Sequence, residues 1–357
     1  MYVAWRARID MKPIKNTFAA TNTLKGIAVG AVLVNHYLNM NVSGDCTGFA
    51  NLWIGIFFML SGFGIHYSLD RLFCDRNTPF FKKLIRFYLL RAFRIFPMYW
   101  MAYIFECLLF RQKISFLALL GIHGTEHYWF IAAILQCYLI APAIFLSLVY
   151  RRIWALIGIP LVFVLSNIIL NAAGVPQGIV SSLDFVHLYW RGMYFLYFFI
   201  FSMAMFLPEY ISSWSRVPRF EKLFYFYMSF FIVMLFMVAS KYHNNLQYLY
   251  NIMAFTFLPL LFLCITSMYA IVNDISIKYM SKLGEVSFAV YLFHMIFFRL
   301  INRTLGIGND SIVELAVCIV CFPVFYICCK YLQQIAEKMT SFAKAAVHER
   351  TGSHCYH

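Results

Sequence analysis

The sequence predicts an all-α fold, a polytopic membrane helix bundle of about ten transmembrane helices. Apolar residues make up 62% of the 357 residues and charged residues only 12%, against about a quarter in a typical soluble domain. Apolar runs of 17 residues or more recur along the whole chain, and each is long enough to cross roughly 30 Å of hydrocarbon as a helix. The Lys and Arg residues are concentrated in alternate segments between these runs, as is typical of proteins that cross a membrane several times.

The predicted spans begin near Leu24 and follow one another with short connections. The segment before Leu24 is polar and basic, and no small-residue cleavage site follows the first apolar run, so we interpret this run as a retained span. The predicted spans are 24–40, 50–67, 90–110, 129–149, 153–171, 185–206, 223–240, 248–270, 284–305 and 311–331.

The net charge of +14 is explained by topology. With the amino terminus inside, 23 of the 29 Lys and Arg residues fall on cytoplasmic segments, which satisfies the positive-inside rule. Both termini are therefore predicted to be cytoplasmic, with a tail at 1–23, a membrane domain at 24–335 and a second tail at 336–357. This distribution argues against nucleic acid as a partner and makes membrane lipid the expected surroundings. Nothing in the sequence indicates an oligomeric state.

The cysteines predict neither an exported disulfide nor a metal site. Cys46 is the one cysteine in a predicted outer loop, so it has no partner there for a disulfide. Four others have a spacing that resembles a metal site, but they lie in an apolar helix without His or carboxylate neighbours and are interpreted as packing residues. They are Cys318, Cys321, Cys328 and Cys329.

Ionisable side chains inside the predicted spans are the first candidates for a functional site. Each costs about 2.5 to 3.5 kcal/mol to insert on translocon scales, so each requires a reason. They are Lys25, His36, Arg91, Arg94, Glu106, His187, Arg191, His294, Arg299 and Glu314.

Lys25 and His36 are expected to share one face of the first span. They are eleven residues apart, which on an α-helix is about 20° more than three turns and a rise of about 16.5 Å. Lys25 would lie at the cytoplasmic surface, and His36 would lie beyond the midplane, where a neutral imidazole could accept a proton from a hydroxyl. The distance is also about the reach of a pantetheine arm. A single His in an apolar helix is more often an interhelical hydrogen-bonding residue, so spacing alone leaves both interpretations open.

Arg91 and Arg94 are three residues apart and point to similar sides, just before Pro97, which is expected to loosen the helix. With their neighbours they form a dense basic cluster at the predicted inner surface, suited to binding phosphates or, equally, anionic lipid headgroups. The neighbours are Lys82, Lys83 and Arg86.

Other histidines are expected towards the outer side. His294 lies ten residues into the ninth predicted span and should reach a depth similar to that of His36. His187 and Arg191 share a face in i, i+4 relation, either to meet an extracytoplasmic acceptor or to anchor the span at the interface. His127 lies in the outer segment just before the fourth span.

Five short motifs occur in order along the chain, and together they resemble the integral-membrane acyltransferases called acyltransferase type three, which O-acylate bacterial surface glycans. The resemblance extends from Leu24 to the ninth predicted span. The motifs are LKGIA at 24–28 followed by Asn35 and His36, IFFMLSGF at 56–63, RAFRIFPMYW at 91–100, HYWF at 127–130 followed by Tyr138 and Pro142, and LG at 283–284 followed by Ser287, Phe288 and YLFH at 291–294.

The resemblance implies a cytoplasmic acyl donor, usually acetyl-CoA, and an extracytoplasmic sugar hydroxyl as acceptor, in the bacterial inner membrane. By position, His36 is similar to the family's general base or acyl-relaying residue. Lys25, Arg91 and Arg94 are similar to the residues that hold the donor's phosphates. The acceptor would be a glycan such as O-antigen, capsule or exopolysaccharide, and no metal is implied.

The chain departs from the family pattern at two positions. Lys25 stands where Arg is common, and Gln136 stands where some relatives have Glu, which leaves the partner of His36 unidentified. Candidates for stabilising a developing oxyanion are Ser61, Tyr99, Gln136 or a backbone amide. Trp129 belongs to the fourth motif and is retained as a further candidate.

A secondary transporter or flippase for a lipid-linked sugar is the alternative function. About ten spans with a few buried charges would suit such a protein. It would also predict paired broken helices in two related halves, which the sequence does not display.

Overall fold

A computed structural model of the chain describes residues 14–41, 47–75, 77–121, 127–150, 193–208, 210, 214, 217–242, 257–265, 275–305 and 311–351. Every regular element in these ranges is an α-helix, so the predicted all-α fold class is confirmed for this part of the chain. We number the helices in chain order as α1 (Ile14–Asn41), α2 (Thr47–Cys74), α3 (Phe80–Phe110), α4 (Phe116–Leu119), α5 (Trp129–Tyr150), α6 (Met193–Ala204), α7 (Arg219–Tyr242), α8 (257–265), α9 (Ile275–Glu285), α10 (Ser287–Leu305) and α11 (Ser311–Thr351).

Four of the described helices are long and apolar enough to cross a membrane, and one bent pair of shorter helices brings this number to five. The four segments are Leu52–Cys74 in α2, Phe80–Phe110 in α3, Trp129–Ser147 in α5 and Val313–Phe342 in α11. The pair consists of Lys278–Glu285 and Ser287–Thr304, which meet at 77°. The helices thus have the character of a multi-pass membrane protein, whereas the full set of ten predicted spans is not established.

The other five predicted spans relate to the described residues in different ways. Those at 24–40 and 223–240 fall within α1 and α7, which are not among the candidate spans identified in the described residues. In α1, polar side chains such as Asn35 and His36 lower the hydropathy of the run. The span at 153–171 lies outside the described residues, and those at 185–206 and 248–270 lie only partly inside them.

Several helices are longer than the spans predicted from hydropathy. Helix α3 begins at Phe80, ten residues before the predicted span 90–110, because its basic first turns remain helical, and it continues through Pro97. Helix α11 extends to Thr351, twenty residues beyond the predicted span 311–331. Hydropathy detects the part of a helix that suits lipid, whereas the backbone hydrogen bonds continue into the charged turns on either side.

Helices α1 and α9 cross in direct backbone contact at Gly26 and Gly284. A Cβ on Gly26 would overlap the carbonyl oxygen of Met280, and a Cβ on Gly284 would overlap the carbonyl oxygen of Asn22. Glycine is therefore required on both helices, because any side chain would separate the two backbones. Small residues at such crossings are the usual means by which membrane helices approach closely.

The bend between α9 and α10 follows immediately after this crossing. Helix α9 ends at Glu285 and α10 begins at Ser287, so the direction changes by 77° within a few residues of Gly284. The predicted ninth span, 284–305, therefore consists mainly of α10. Its first two residues are the end of α9, at the bend. Because α9 is fixed on α1, the bend determines where α10 carries His294.

The described core is rich in aromatic side chains, and one helix is left outside it. Phe58 of α2 stacks on Tyr197 of α6 with ring centroids 4.8 Å apart and meets Phe130 of α5 edge to face at 5.0 Å. In contrast, α11 contributes only Cys329 and Ala336 to the buried part of this core, and most of its apolar side chains, such as Val320 and Val324, are exposed. Its apolar side chains are thus left for lipid, as expected of a helix at the periphery of a bundle.

We expect Gly26→Ala to destabilise the protein and Gly30→Ala to leave it at least as stable. The first adds a methyl group where the backbones of α1 and α9 touch, an overpacking cost of about 1–3 kcal/mol. The second adds the same methyl group four residues later on the same helix, where nothing lies within 4 Å of the new Cβ, and removes a helix-destabilising glycine worth about 0.5–1 kcal/mol. Thermal unfolding of the detergent-solubilised variants measures both, and equal midpoints would contradict the proposed contact.

Candidate active site

Two groups of polar side chains lie at different levels of the same helices, α1 and α3. The first, which we name the imidazole cluster, contains His36, His127 and His294 together with Glu106 and Arg299. The second, which we name the cation cluster, contains Lys25, Arg91 and Arg94. Together the two clusters contain all four residues to which the sequence assigned catalysis or donor binding.

His36 of α1 and His294 of α10 are neighbours. Their ring centroids are 4.8 Å apart, and the two ring planes are inclined by 48°. His36 is half-buried, whereas His294 is fully buried. The two imidazoles predicted to lie at similar depth thus come into contact, although α10 reaches this point only after the bend at Gly284.

One nitrogen of His294 has a defined role. Its Nδ1 lies 2.5 Å from the carbonyl oxygen of Tyr291, one turn earlier on α10. A carbonyl oxygen only accepts hydrogen bonds, so Nδ1 is the protonated nitrogen and Nε2 carries the lone pair. Nε2 is buried and has no hydrogen-bond partner among the described residues.

His127 completes the group of three imidazoles. Its ring centroid is 6.3 Å from that of His294, and the two rings meet edge to face. The residue precedes α5, and the Tyr291 hydroxyl fixes its backbone by donating to its carbonyl oxygen over 3.1 Å. A residue assigned from sequence to an outer loop therefore belongs to the same site as His36.

A buried carboxylate adjoins these imidazoles. Glu106 of α3 has a side chain that is 4% exposed, and its two oxygens contact different partners. Oε1 accepts from Arg299 Nη1 over 2.6 Å, and Oε2 lies 3.0 Å from Nε2 of His127. Sequence reasoning recognised Glu106 and Arg299 only as two ionisable residues among ten and assigned them no role, because nothing in the chain indicates that residues 193 positions apart will pair.

The cation cluster lies on α1 and α3, and Arg91 also contacts α2 and α5. Arg91 Nη2 donates to the Ser68 hydroxyl over 2.6 Å, and its guanidinium lies over the Tyr138 ring at 5.9 Å. Arg94 is exposed, and its charge repels both Lys25 and Arg91. Three positive charges from two helices thus converge at one point, with Arg91 held in place and Arg94 open to a ligand.

The two clusters are separated by a similar distance along both helices that carry them. On α1, Lys25 and His36 are eleven residues apart, a rise of about 16.5 Å. On α3, Arg94 and Glu106 are twelve residues apart, a rise of about 18 Å. The agreement places the cation cluster and the imidazole cluster in two layers of one bundle.

The remaining predicted residues lie around these clusters or outside the described residues. The Ser61 hydroxyl is 3.4 Å from the Tyr138 hydroxyl, and the Tyr99 hydroxyl donates to the Ala118 carbonyl oxygen over 2.6 Å. Trp129 stacks on Tyr197 with ring centroids 5.7 Å apart, and Gln136 is half-buried on α5. His187 and Arg191 lie outside the described residues.

Among the residues that the structure describes, no group of three or more His, Cys, Asp or Glu side chains is arranged to hold a metal ion. The chemistry that the imidazole cluster can perform is proton transfer and nucleophilic catalysis. A neutral imidazole can take the proton of a hydroxyl, or it can accept an acyl group itself.

Comparison with known proteins gives the family. No match was found among curated proteins, and none among solved structures. A family model described as an acyltransferase domain, that of acyltransferase type three, matches residues 18–330, a stretch that includes both clusters and all five sequence motifs. The chain therefore belongs to the acyltransferase type three family of membrane acyltransferases.

Proposed function

We propose that this protein is an O-acetyltransferase of the bacterial inner membrane. It moves an acetyl group from cytoplasmic acetyl-CoA to a hydroxyl of an extracytoplasmic glycan, such as O-antigen, capsule or exopolysaccharide. The observation that carries the proposal is the separation of about 16.5 to 18 Å between the cation cluster and the imidazole cluster along α1 and α3. This is about the length of the pantetheine arm that joins the phosphates of coenzyme A to its thioester.

The cation cluster is suited to the phosphates of the donor. Arg94 repels both Lys25 and Arg91, so the proximity of these cations costs free energy that a bound anion recovers. Glu106 forms an ion pair with Arg299, whereas no salt bridge among the described residues pairs these three cations with a carboxylate. Guanidinium groups bind phosphate oxygens in pairs, and the diphosphate and the 3′-phosphate of coenzyme A provide such oxygens.

The imidazole cluster is suited to the chemical step. His36 takes the proton of the acceptor hydroxyl while the oxygen attacks the thioester carbonyl carbon. A C–O bond forms, the C–S bond breaks, and the proton passes to the departing thiolate to give free coenzyme A. In the second route, His36 attacks the thioester carbonyl carbon, and the thiolate leaves as free coenzyme A with the proton of the imidazole. The acceptor hydroxyl then takes the acyl group from the imidazole, and its proton returns to His36. Both routes use the same residue at the same depth.

The topology accounts for the direction of transfer. The positive-inside rule assigns Lys25 and the basic start of α3 to the cytoplasmic side, where coenzyme A esters are made, and both termini to the same side. Glu106 and His127 then lie towards the outer side, where surface glycans are assembled. The substrates thus approach the imidazole cluster from opposite faces of the membrane.

We expect His36→Ala to abolish acetylation without removing the protein from the membrane. A positioned general base contributes about 10²- to 10⁴-fold to the rate, and a direct acyl carrier contributes at least as much. The measurement is the acetyl content of purified surface polysaccharides by proton NMR. A deletion strain is compared with strains restored by wild type or by His36→Ala at equal protein level.

Acetyl signals that return with wild type and not with His36→Ala would support the proposal. If the deletion instead removes the polymer and leaves the acetylation of the remaining glycans unchanged, acetyl transfer to these glycans is refuted. The transport of a lipid-linked sugar would then be the better explanation.

We also expect Lys25→Ala and Arg94→Ala to raise the KM for acetyl-CoA by about tenfold to a hundredfold, with a smaller change in kcat. A charge-assisted hydrogen bond contributes about 1.5–3 kcal/mol, and both residues are proposed to act on the phosphates alone. The matched control is Lys113→Ala, which removes an exposed cation beyond the opposite end of α3.

The same variants assayed with acetyl-pantetheine separate phosphate binding from other effects. This donor retains the thioester and lacks the nucleotide phosphates, so the variants and the wild type should use it equally well. A rise in KM that persists with acetyl-pantetheine would contradict a phosphate-binding role for the cation cluster.

A further inference from the structure

The position of Glu106 requires an explanation beyond acetyl-CoA binding. Its side chain is 4% exposed on a helix that crosses the membrane, and burying a carboxylate there costs several kcal/mol. Glu106 lies about 18 Å along α3 from Arg94, so it has no part in holding the donor's phosphates. Arg299 of α10 compensates its charge through a 2.6 Å ion pair.

The ion pair by itself would be explained as a link between α3 and α10. That explanation accounts for the contact between Oε1 and Arg299. It does not account for the contact that Oε2 makes. Oε2 instead lies 3.0 Å from Nε2 of His127, a residue from a third part of the chain. One carboxylate thus has an anchoring oxygen and an oxygen directed at an imidazole of the candidate active site.

The contact with Oε2 selects one tautomer of His127. Nε2 and Oε2 approach to 3.0 Å without forming a hydrogen bond, and an ionised carboxylate would repel a lone pair on Nε2, so Nε2 carries the proton. In the neutral imidazole Nδ1 then has the lone pair, and it is buried without a hydrogen-bond partner among the described residues. His294 is fixed in the opposite sense, since its Nδ1 bonds to the Tyr291 carbonyl oxygen and its Nε2 carries the buried lone pair.

Two hydrogen-bond acceptors are therefore fixed near His36. His294 lies 4.8 Å from His36 by ring centroids, and His127 lies 6.3 Å from His294. Buried acceptors are costly unless a donor reaches them, and a ligand that carries several hydroxyl groups brings O–H donors. A glycan acceptor has hydroxyl groups on neighbouring carbons, of which one reacts and the others remain available to bind.

We propose that Glu106, anchored by Arg299, is a positioning residue that fixes the tautomer and orientation of His127. His127 Nδ1 and His294 Nε2 then bind hydroxyl groups of the acceptor and hold the reacting hydroxyl against His36. Glu106 and Arg299 touch neither substrate and act through His127. This inference rests on the proposed O-acetyltransferase activity and deepens it by assigning the residues that bind the acceptor.

The test compares Glu106→Leu, His127→Asn, the double variant of these two, and the double variant Glu106→Leu/Arg299→Leu. The last replaces the whole ion pair with apolar side chains, which is often neutral for stability, whereas Arg299→Leu alone would leave a buried charge unpaired. Arg303→Leu removes an exposed arginine one turn later on α10 and is the matched control. The purified enzymes receive acetyl-CoA and the unacetylated polysaccharide of the deletion strain.

We expect Glu106→Leu to lower kcat by about tenfold to a hundredfold, the usual effect of removing a partner that orients a histidine, and to leave the KM for acetyl-CoA unchanged. Glu106→Leu/His127→Asn should be no slower than His127→Asn, because both changes remove the same function. Glu106→Leu/Arg299→Leu should remain slow although it unfolds at the wild-type temperature. A wild-type kcat in Glu106→Leu/Arg299→Leu would show that the ion pair only links α3 to α10. Additive losses of kcat in Glu106→Leu/His127→Asn would show that Glu106 does not act through His127.

A readout independent of activity separates this inference from the proposed function. ¹⁵N NMR of histidine-labelled protein reports the tautomer of His127, whose signals are assigned by their loss in His127→Asn. We expect a protonated Nε2 in the wild type and a mixture of tautomers in Glu106→Leu. An unchanged spectrum would overturn the positioning role, whereas a wild-type enzyme that fixes this tautomer and transfers no acetyl group would refute the proposed function alone.

Discussion

The backbone contact between α1 and α9 at Gly26 and Gly284 is the constraint on which the candidate site depends. It fixes α9 against α1, and the 77° bend that follows directs α10 across the helices that carry the other site residues. His36 and His294 are neighbours because one follows Gly26 on α1 and the other follows the bend on α10. Glycine is the only residue that allows this approach, which explains why both glycines occur within the sequence motifs.

A second constraint is the free energy that is needed to bury a charged side chain in an apolar environment. Glu106 is buried, and it is tolerated because Arg299 reaches it from α10 and His127 reaches it from the segment before α5. The cations at the other level differ, since Arg94 lies near Lys25 and Arg91 and no carboxylate of the described residues forms a salt bridge with these three. A compensated carboxylate beside imidazoles favours internal proton chemistry, whereas uncompensated cations favour an anionic ligand.

These two electrostatic arrangements lie in separate layers of one bundle. In the proposed function this separation gives the transfer its direction, because a donor with phosphates at one end and a thioester at the other would occupy both layers at once. The proposed hydroxyl acceptor would need to reach only the imidazole layer. The proposed transfer would then need no large movement of the protein, because the extended donor covers the distance.

The all-α class and the membrane environment follow from composition, and the expectation that Lys25 and His36 share one face of a helix follows from helical spacing. Both composition and helical spacing are local properties of the chain. The sequence also predicted that His294 would lie at the depth of His36, because depth depends on the number of residues from a helix end. Hydropathy predicted the membrane spans and not the extent of the helices, since charged turns continue α3 back to Phe80 and α11 as far as Thr351.

Only the tertiary structure decided which ionisable side chains meet. Glu106 and Arg299 are 193 residues apart, and their pairing depends on how α3 packs against α10 after the bend at Gly284. The place of His127 beside them depends on the same packing, although the sequence assigned it to an outer loop. Spacing along one helix therefore determined how far apart the two clusters lie along the bundle. Packing between helices determined which side chains pair, and the sequence does not reveal this pairing because contacts between distant segments leave no periodic pattern in the chain.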